Sequence, residues 1–472
     1  MWSFNEFKEN IAIIDENDVC ITYLELDEEI IKLKEKIDQR SLVFVLCNDT
    51  LGNIFSYIAM LKVGSVPAML KSDLDFEMFS DLYEKYKPKY LFLPTSDVSK
   101  FNEITTEIVH EVFSYTLIKT KYFDVEYEIH QDLALLLTTS GSTGSPKFVR
   151  QSYKNIESNT KSIVEYLKIT SAEKPITTLP ANYTYGLSII NSHISVGATI
   201  LVTNKSIMQK EFWEFFKKYE ATSFGGVPYT YEILKKLRFF KMELPSLKTM
   251  TQAGGKLLPK LHEEFSNFAK ENNQNFVVMY GQCEATARMA YLPHEKNLEK
   301  IGSMGIAIPY GKLELIDLNQ NIIQETHITG ELRYIGENVT LGYAESLEDL
   351  AKGDERNGVL ITGDMAYFDK DGYFFINGRK KRFLKIFGNR VNLDEVERLL
   401  KAEFLDVECA CSGVDDKLFI YTTNEQLKDV MKKYISAKTK INPVAIKTYY
   451  INEIPKNEAG KTLYSKLEDF ND

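Results

Sequence analysis

The stretch Asp132 to Arg150, reading DLALLLTTSGSTGSPKFVR, limits what this chain can fold into more than any other. Its apolar run from Leu133 to Leu137 fits a buried strand. The run opens into Thr138, Thr139, Ser140, Gly141, Ser142, Thr143, Gly144, Ser145, Pro146 and Lys147, with five hydroxyl side chains between Thr138 and Thr143. Glycine lets the backbone turn tightly and come close to a ligand. Successive amide N–H groups in such a loop form a concave anion site. Ser and Thr add donors, and Lys147 adds a mobile positive charge. A strand feeding such a loop is, in chemical terms, a phosphate cradle. A flexible Ser/Gly linker does not usually follow so apolar a strand.

A Walker-type loop is excluded, because it needs G-x-x-x-x-G-K-[ST]. Pro146 stands at the glycine position required after Gly141, and Phe148 follows Lys147. Gly460-Lys461-Thr462 fails too, with Pro455 at its first glycine position.

The surrounding chain alternates strand-like and helix-like segments. Leu42 to Cys47, Val66 to Leu70, Tyr90 to Leu93, Ile176 to Pro180, Ala198 to Val202 and Val277 to Tyr280 read as strands. Ile54, Tyr57, Ile58 and Leu61 fall at helical spacing and Gly64 can end that helix; Lys210 to Lys218 sets Phe212, Phe215 and Phe216 on one face. Such alternation predicts parallel sheets covered by helices. From about Ile301 short strand-like runs with turns such as Asp371-Gly372 predict a smaller β subdomain, and a Lys- and Glu-rich tail follows. The expected architecture is α/β. A large N-terminal domain of parallel α/β sheets plus a small β subdomain spans 1–380, and a small mobile α+β C-terminal domain spans 381–472. The boundary falls at the basic run Arg379-Lys380-Lys381-Arg382, whose plainer reading is a solvated charge cluster.

With 472 residues the chain is long enough for two to four domains or subdomains. A net charge of −10 argues against a nucleic-acid partner, though a local basic cluster suffices for a polyanionic ligand. The N-terminal stretch mixes acids into its apolar residues and has no signal-length core, and no apolar stretch is long enough to span a bilayer. The five cysteines are odd in number and scattered, and Cys409 and Cys411 form only C-x-C, which argues against zinc. The expectation is a reduced, cytoplasmic protein.

Tyr280-Gly281-Gln282-Cys283-Glu284 follows a strand. A carboxylate there is placed to hold Mg²⁺ beside nucleotide phosphates, since that ion takes oxygen ligands and keeps several waters. Ile361-Thr362-Gly363-Asp364 offers a carboxylate suited to a vicinal diol, with a turn aspartate as its plainer reading. In this order with the phosphate loop, these segments resemble the AMP-forming adenylating enzymes: acyl-CoA synthetases, luciferases and peptide-synthetase adenylation domains. Pro455 to Lys461 resembles the family's terminal P-x-x-x-x-G-K.

The resemblance implies roles residue by residue. Thr139, Ser140, Gly141, Ser142, Thr143, Gly144 and Lys147 hold the leaving phosphates. Tyr280 packs against adenine, Gly281 belongs to the same nucleotide-binding segment, Cys283 replaces a family threonine that touches the α-phosphate, and Glu284 coordinates the metal. Asp364 and Arg379 reach the ribose. Lys461 bridges the substrate carboxylate and the α-phosphate. Lys381 is the hinge, and Lys385 to Gly388 is the loop that enters for the second half-reaction. Ala253, Gly254 and Gly255 line the acyl and adenine pockets with Gln282, and Tyr183 aligns with a gate to the carboxylate pocket, against a plain core-packing reading. Two positions depart from the family: Cys283, a weaker donor than a hydroxyl, and Phe148, usually glycine.

The implied activity is ATP- and Mg²⁺-dependent activation of a carboxylic acid as acyl-AMP, then transfer to a thiol of coenzyme A or of carrier-protein phosphopantetheine. An amino-acid adenylation enzyme is the alternative. No aspartate occurs from Leu179 to Gly186 to pair an α-ammonium, and burying that charge unpaired is costly. A non-catalytic nucleotide-binding regulator is the third reading, favoured only by Cys283.

Overall fold

Four largely apolar strands explain the centre of the first unit. In the computed structural model, which describes residues 2–138, 147–387, 389–457 and 460–470, Leu42–Cys47, Val66–Lys71, Tyr90–Pro94 and Leu133–Thr138 lie side by side in parallel. Their near-continuous apolar sequence is what a strand covered on both faces requires. The helix Leu51–Val63 connects the first two and stops at Gly64, whose φ of 84° gives the left-handed cap. The full sheet has eight strands in the order Gly342–Ala344, Phe148–Ser152, Leu133–Thr138, Val66–Lys71, Leu42–Cys47, Tyr90–Pro94, Tyr115–Thr120 and Thr105–Val112.

Both flanks of this sheet are antiparallel. Phe148–Ser152 runs back along Leu133–Thr138, with Thr138 opposite Phe148. The segment between them, the expected phosphate cradle, therefore connects two antiparallel neighbours. Gly342–Ala344 then pairs with Phe148–Ser152, Tyr343 opposite Val149. Phe148 is fully buried against Phe44 and Tyr86, which accounts for the large side chain at that position. Neighbouring strand residues point to opposite faces.

The same unit, residues 2–138, 147–312 and 335–360 of those described, contains two further sheets. One runs parallel through Ser223–Gly226, Thr249–Gln252 and Asn275–Tyr280, then antiparallel through Ala290–Tyr291 and Ile306–Ala307. The other orders Ile200–Val202, Ile11–Asp15 and Cys20–Thr22. The helix Lys210–Lys218 buries Phe212, Phe215 and Phe216 as its spacing predicts. Ile176 to Pro180 is not a strand: Pro175 and Ile176 make only isolated bridges, to Ser223 and Leu201. Prolines at 175 and 180 remove ladder donors from both ends of that run.

The second unit takes 313–334 and the described part of 361–470. A four-stranded sheet orders Lys312–Ile316, Gly330–Ile335, Val359–Phe368 and Phe374–Arg379. After it come the hairpin Phe383–Ile386 and Asn389–Asn392, the helix Leu393–Glu403, the strands Cys409–Val414, Lys417–Thr422 and Ile446–Tyr450, and the helix Lys428–Thr439. Leu384, Val396, Leu400, Ile420, Met431 and Ile435 form a core within this last stretch. Asn392 caps the first of its helices, its side chain accepting from the N–H groups of Asp394 and Glu395. The basic run is not uniformly solvated. Arg382 donates to Glu397 Oε1 at 2.6 Å and to the Cys411 carbonyl at 3.2 Å, pairs with Asp394, and lies over the Tyr464 ring at 3.7 Å.

Candidate functional site

Lys147 and Glu284, 137 positions apart in sequence by their numbering, meet through one tyrosine. The Lys147 ammonium sits 3.7 Å from the centroid of the Tyr343 ring. The Tyr343 hydroxyl donates to Glu284 Oε1 at 2.7 Å. A second cation, the Arg356 guanidinium, stands 4.7 Å from the same ring and donates to the Glu284 carbonyl at 3.1 Å. An aromatic face attracts cations, so Tyr343 collects both. Burial lifts the Tyr343 phenol far above its ordinary range, with the neighbouring Glu284 charge adding to it. It therefore stays a hydrogen-bond donor at any physiological pH.

Arg150 fixes Tyr343 from behind. This arginine is wholly buried; its Nε donates to the Tyr343 carbonyl at 3.0 Å and its Nη2 to the carbonyls of Leu341 and Gly353 and to Glu355. A guanidinium offers five donors in a rigid fork, which suits one residue to gather a strand and a returning loop. Tyr343, Arg356 and Arg150 were not legible as site residues. Arg150 closes the phosphate-loop stretch but reads there only as part of the chain after the lysine, and Tyr343 and Arg356 lie outside every motif.

Gly281 is required by space. A Cβ there would lie 1.5 Å from the Ala287 carbonyl oxygen, a main-chain atom that cannot swing away. The turn it allows carries Cys283 and Glu284 on a short 3-10 segment, half-buried, after Asn275–Tyr280. Gln282 Nε2 donates to the Tyr280 hydroxyl at 3.3 Å. Burial raises the Tyr183 phenol, and the Cys283 thiol adds to the shift. Across from it, a Cβ on Gly254 (φ 84°) would lie 2.6 Å from the Tyr183 hydroxyl. Ala253 is buried in one apolar cluster with Tyr185, Val277 and Met279, against which Tyr183 packs. Gln252 Nε2 holds the Ala253-Gly255 turn through the Ala253 and Gly255 carbonyls at 3.2 and 2.9 Å. The residues expected to line the acyl pocket are thus neighbours, and Tyr183 is half-buried at its edge.

In the second unit Asp364 and Arg379 face each other across antiparallel strands, Arg379 Nε to Asp364 Oδ1 at 2.7 Å. The carboxylate is buried and the guanidinium exposed. Gly378 is close-packed, since a Cβ would meet Asp394 and Asn392 within 3 Å. Lys461 is exposed at a tight turn: the Asn457 N–H donates to the Lys461 carbonyl at 2.8 Å, and the Asn457 side chain accepts from the Lys461 N–H at 2.9 Å. Thr139, Ser140, Gly141, Ser142, Thr143, Gly144 and Gly388 lie outside the described residues, as do the side chains of Lys381 and Lys385.

The donor set fits magnesium. Mg²⁺ is ordinarily held by one or two carboxylates with phosphate oxygens and waters completing its octahedron. Glu284 offers that carboxylate, with Oε1 engaged by Tyr343 and Oε2 without a hydrogen bond among the described residues. No cluster of three or more His, Cys, Asp or Glu side chains able to hold a metal alone occurs among them.

Residues 2–344 match the family model described as AMP-binding enzyme, and the chain belongs to that family. An oxalate–CoA ligase of Saccharomyces cerevisiae is 26% identical over 346 residues, covering 70% of this chain and 62% of that protein. A 2-succinylbenzoate–CoA ligase of Bacillus subtilis is 25% identical over 480 residues, covering 98% and 95%. The chain thus spans less than two thirds of the yeast relative and nearly all of the bacterial one. The O-succinylbenzoate coenzyme A synthetase of Bacillus subtilis, solved with AMP, superposes with a TM-score of 0.80 at 21% identity over 99% of this chain and 97% of that one, so the α/β fold with mixed sheets is that of the adenylating enzymes. No helix among the described residues is long and apolar enough to cross a membrane.

Proposed function

We propose that this chain is an AMP-forming acid–thiol ligase. In the first step a substrate carboxylate oxygen attacks the α-phosphorus of ATP, the bond to the β-phosphate bridging oxygen breaks, and pyrophosphate leaves. In the second a thiol sulfur attacks the acyl carbon, the bond to AMP breaks, and the thiol proton is lost to solvent. The observation that carries this reading is the Lys147–Tyr343–Glu284 constellation, which joins a phosphate-loop cation to a metal-type carboxylate in a member of the AMP-binding family.

Catalysis of the first step is positioning and charge neutralisation. Thr139 to Gly144 and Lys147 hold the departing phosphates. Glu284 binds Mg²⁺, which when bound neutralises phosphate charge. Tyr280 and Gly281 flank the adenine, and Cys283 faces the α-phosphate. Asp364 and Arg379 hold the ribose, the arginine orienting the carboxylate. Lys461 neutralises charge between the two reactants. Ala253, Gly254, Gly255, Gln282 and Tyr183 bound the acid. A C-terminal domain of 381–472 turns at Lys381 between the steps and exchanges Lys461 for Lys385 to Gly388. The separate core of that stretch supports its acting as a body.

The acceptor is coenzyme A, as the ligase names of the relatives suggest. A carrier-protein arm is the second choice, suggested by an adenylation–carrier structure among the fold neighbours. A cytoplasmic location belongs to the same proposal and rests on the scattered cysteines, none of them in a disulfide among the described residues. The relatives are named for acids as different as oxalate, 2-succinylbenzoate and long-chain fatty acids, so their names do not choose the substrate. Exchange of labelled pyrophosphate into ATP, run over a panel of acids, tests the reading. Exchange with a carboxylic acid supports it. Exchange only with amino acids moves it to amino-acid activation. Tight ATP binding with no exchange replaces it with the regulator that Cys283 favours.

A further inference from the structure

Among the described residues two arginines are buried, Arg150 and Arg288, and a third, Arg382, is 14% exposed at its side chain; the first and the last have acids. Arg150 has Glu355, and Arg382 has Asp394 and Glu397. Arg288, 2% exposed, forms no ion pair with any carboxylate among the described residues. Its Nε donates to Ser188 Oγ at 3.1 Å, its Nη1 contacts the Tyr166 hydroxyl at 3.0 Å and Met279 Sδ at 2.9 Å, and its guanidinium lies 5.0 Å from the Tyr185 ring centroid. Nη2 has no hydrogen bond among the described residues. A thioether, two hydroxyls and a ring face replace only part of the hydration a cation loses on burial, and natural proteins rarely leave such a charge without an anion.

Its location gives that charge a use. Tyr185 and Met279, both touching Arg288, belong to the apolar cluster that includes Ala253 and against which Tyr183 and Tyr166 pack. The backbone is fixed as well, with the Arg288 carbonyl accepting from Asn159 Nδ2 at 2.9 Å and Asn338 Nδ2 at 3.0 Å. The cation is therefore anchored beside the residues assigned to the acyl pocket, and its fork matches a carboxylate bidentately.

We propose that Arg288 is the counter-charge for a second carboxylate on the acid substrate, so that the enzyme activates dicarboxylic acids. This rests on the ligase reading. One carboxylate is adenylated and the other, kept from reaction, pairs with Arg288. The same cation repels an α-ammonium, which weighs against amino acids. A site built to pair a buried charge strongly rejects analogues lacking the partner, because the charge is then left alone.

Pyrophosphate exchange with acids matched in carbon number, butanoate against butanedioate and hexanoate against hexanedioate, with benzoate against the benzenedicarboxylates, tests this. The expected wild-type result is a kcat/KM at least about tenfold higher for the best diacid than for its monoacid match. Arg288→Met should collapse that ratio towards or below one, and Arg288→Lys should keep part of it. Equal or better use of monoacids by the wild type overturns the inference and leaves the ligase reading standing. So does an Arg288→Met variant that loses both acids in proportion, the mark of a merely structural arginine. Absence of exchange with every acid overturns both. Should Arg288→Met not fold, the wild-type ratio and Arg288→Lys still decide.

Discussion

Replacing Tyr343 by Phe removes one hydroxyl and keeps the ring on which Lys147 and Arg356 rest. What is lost is the 2.7 Å bond to Glu284 Oε1. A hydrogen bond to a charged group contributes roughly 1.5–3 kcal/mol. Glu284 is half-buried, so the lower end applies, and about 1.5 kcal/mol is roughly tenfold in a rate or binding constant. The Arg150 bond to the Tyr343 main chain is untouched, so the fold should not change. If the hydroxyl orients Glu284 for metal-bound ATP, Tyr343→Phe lowers kcat/KM for ATP about tenfold and raises the Mg²⁺ concentration for half-maximal exchange, with KM for the acid unchanged. Tyr343→Leu, which also removes the ring, should cost a further factor, since a cation–π contact contributes about 0.5–2 kcal/mol. The assay is pyrophosphate exchange against ATP at several Mg²⁺ concentrations, with calorimetric ATP binding as a second readout. An unchanged kcat/KM and Mg²⁺ dependence in Tyr343→Phe would refute the positioning role. A gain in ATP affinity would mean that the hydroxyl competes with the metal.

Lys461→Ala is expected to abolish acyl-adenylate formation while thioester formation from supplied adenylate persists; equal loss in both half-reactions, followed by product chromatography, contradicts the two-conformation account. Arg382→Met takes from Asp394 and from Glu397, 8% exposed at its side chain, the cation they share, leaving Glu397 only the exposed Lys401 as a cation, at 3.8 Å. Breaking such a pair costs about 3–5 kcal/mol, and because the Tyr464 hydroxyl and the Cys411 N–H still serve Glu397 a loss near about 3 kcal/mol is expected in urea unfolding of the full chain; a loss below about 1 kcal/mol sinks the claim. Burial holds the His193 imidazole down at about 4 against an ordinary 6.5. Above pH 6.5 it is neutral folded and unfolded, and its contribution is complete. As pH falls from 6.5 towards 4 the unfolded chain takes up a proton the native one refuses, and up to about 3 kcal/mol is lost. Asp49, lifted by burial to about 6, has the opposite sign over much of that range, so the readout is the difference between wild type and His193→Gln, whose stability should fall less steeply with acid. Parallel slopes for the two proteins would show that His193 does not titrate this way.

Much of the fold was legible because it is written locally. Fully apolar six-residue runs such as Leu42–Cys47, rich in β-branched and aromatic residues, fit covered strands, and Phe212, Phe215 and Phe216 fall on one face of Lys210–Lys218 by spacing alone. Ile176 to Pro180 misled because a short run of strand-type residues says nothing of whether a ladder can continue along it, and Pro175 and Pro180 remove donors at both ends. The antiparallel return at Phe148–Ser152 was invisible for a related reason: direction is set by the partner strand.

By itself the sequence determined which short segments have the chemistry a nucleotide site needs, because a glycine-rich loop, a strand-end carboxylate and a terminal lysine carry it within a few residues. Only the tertiary structure decided what those groups lean on. Arg150 meets the Tyr343 main chain across 193 residues, and Tyr343 in turn meets Glu284 across 59. Whether Arg288 has an anion depends on residues scattered from Tyr166 to Met279. Partners of that kind are assigned by chain crossing and burial, and no local pattern of residue types encodes them.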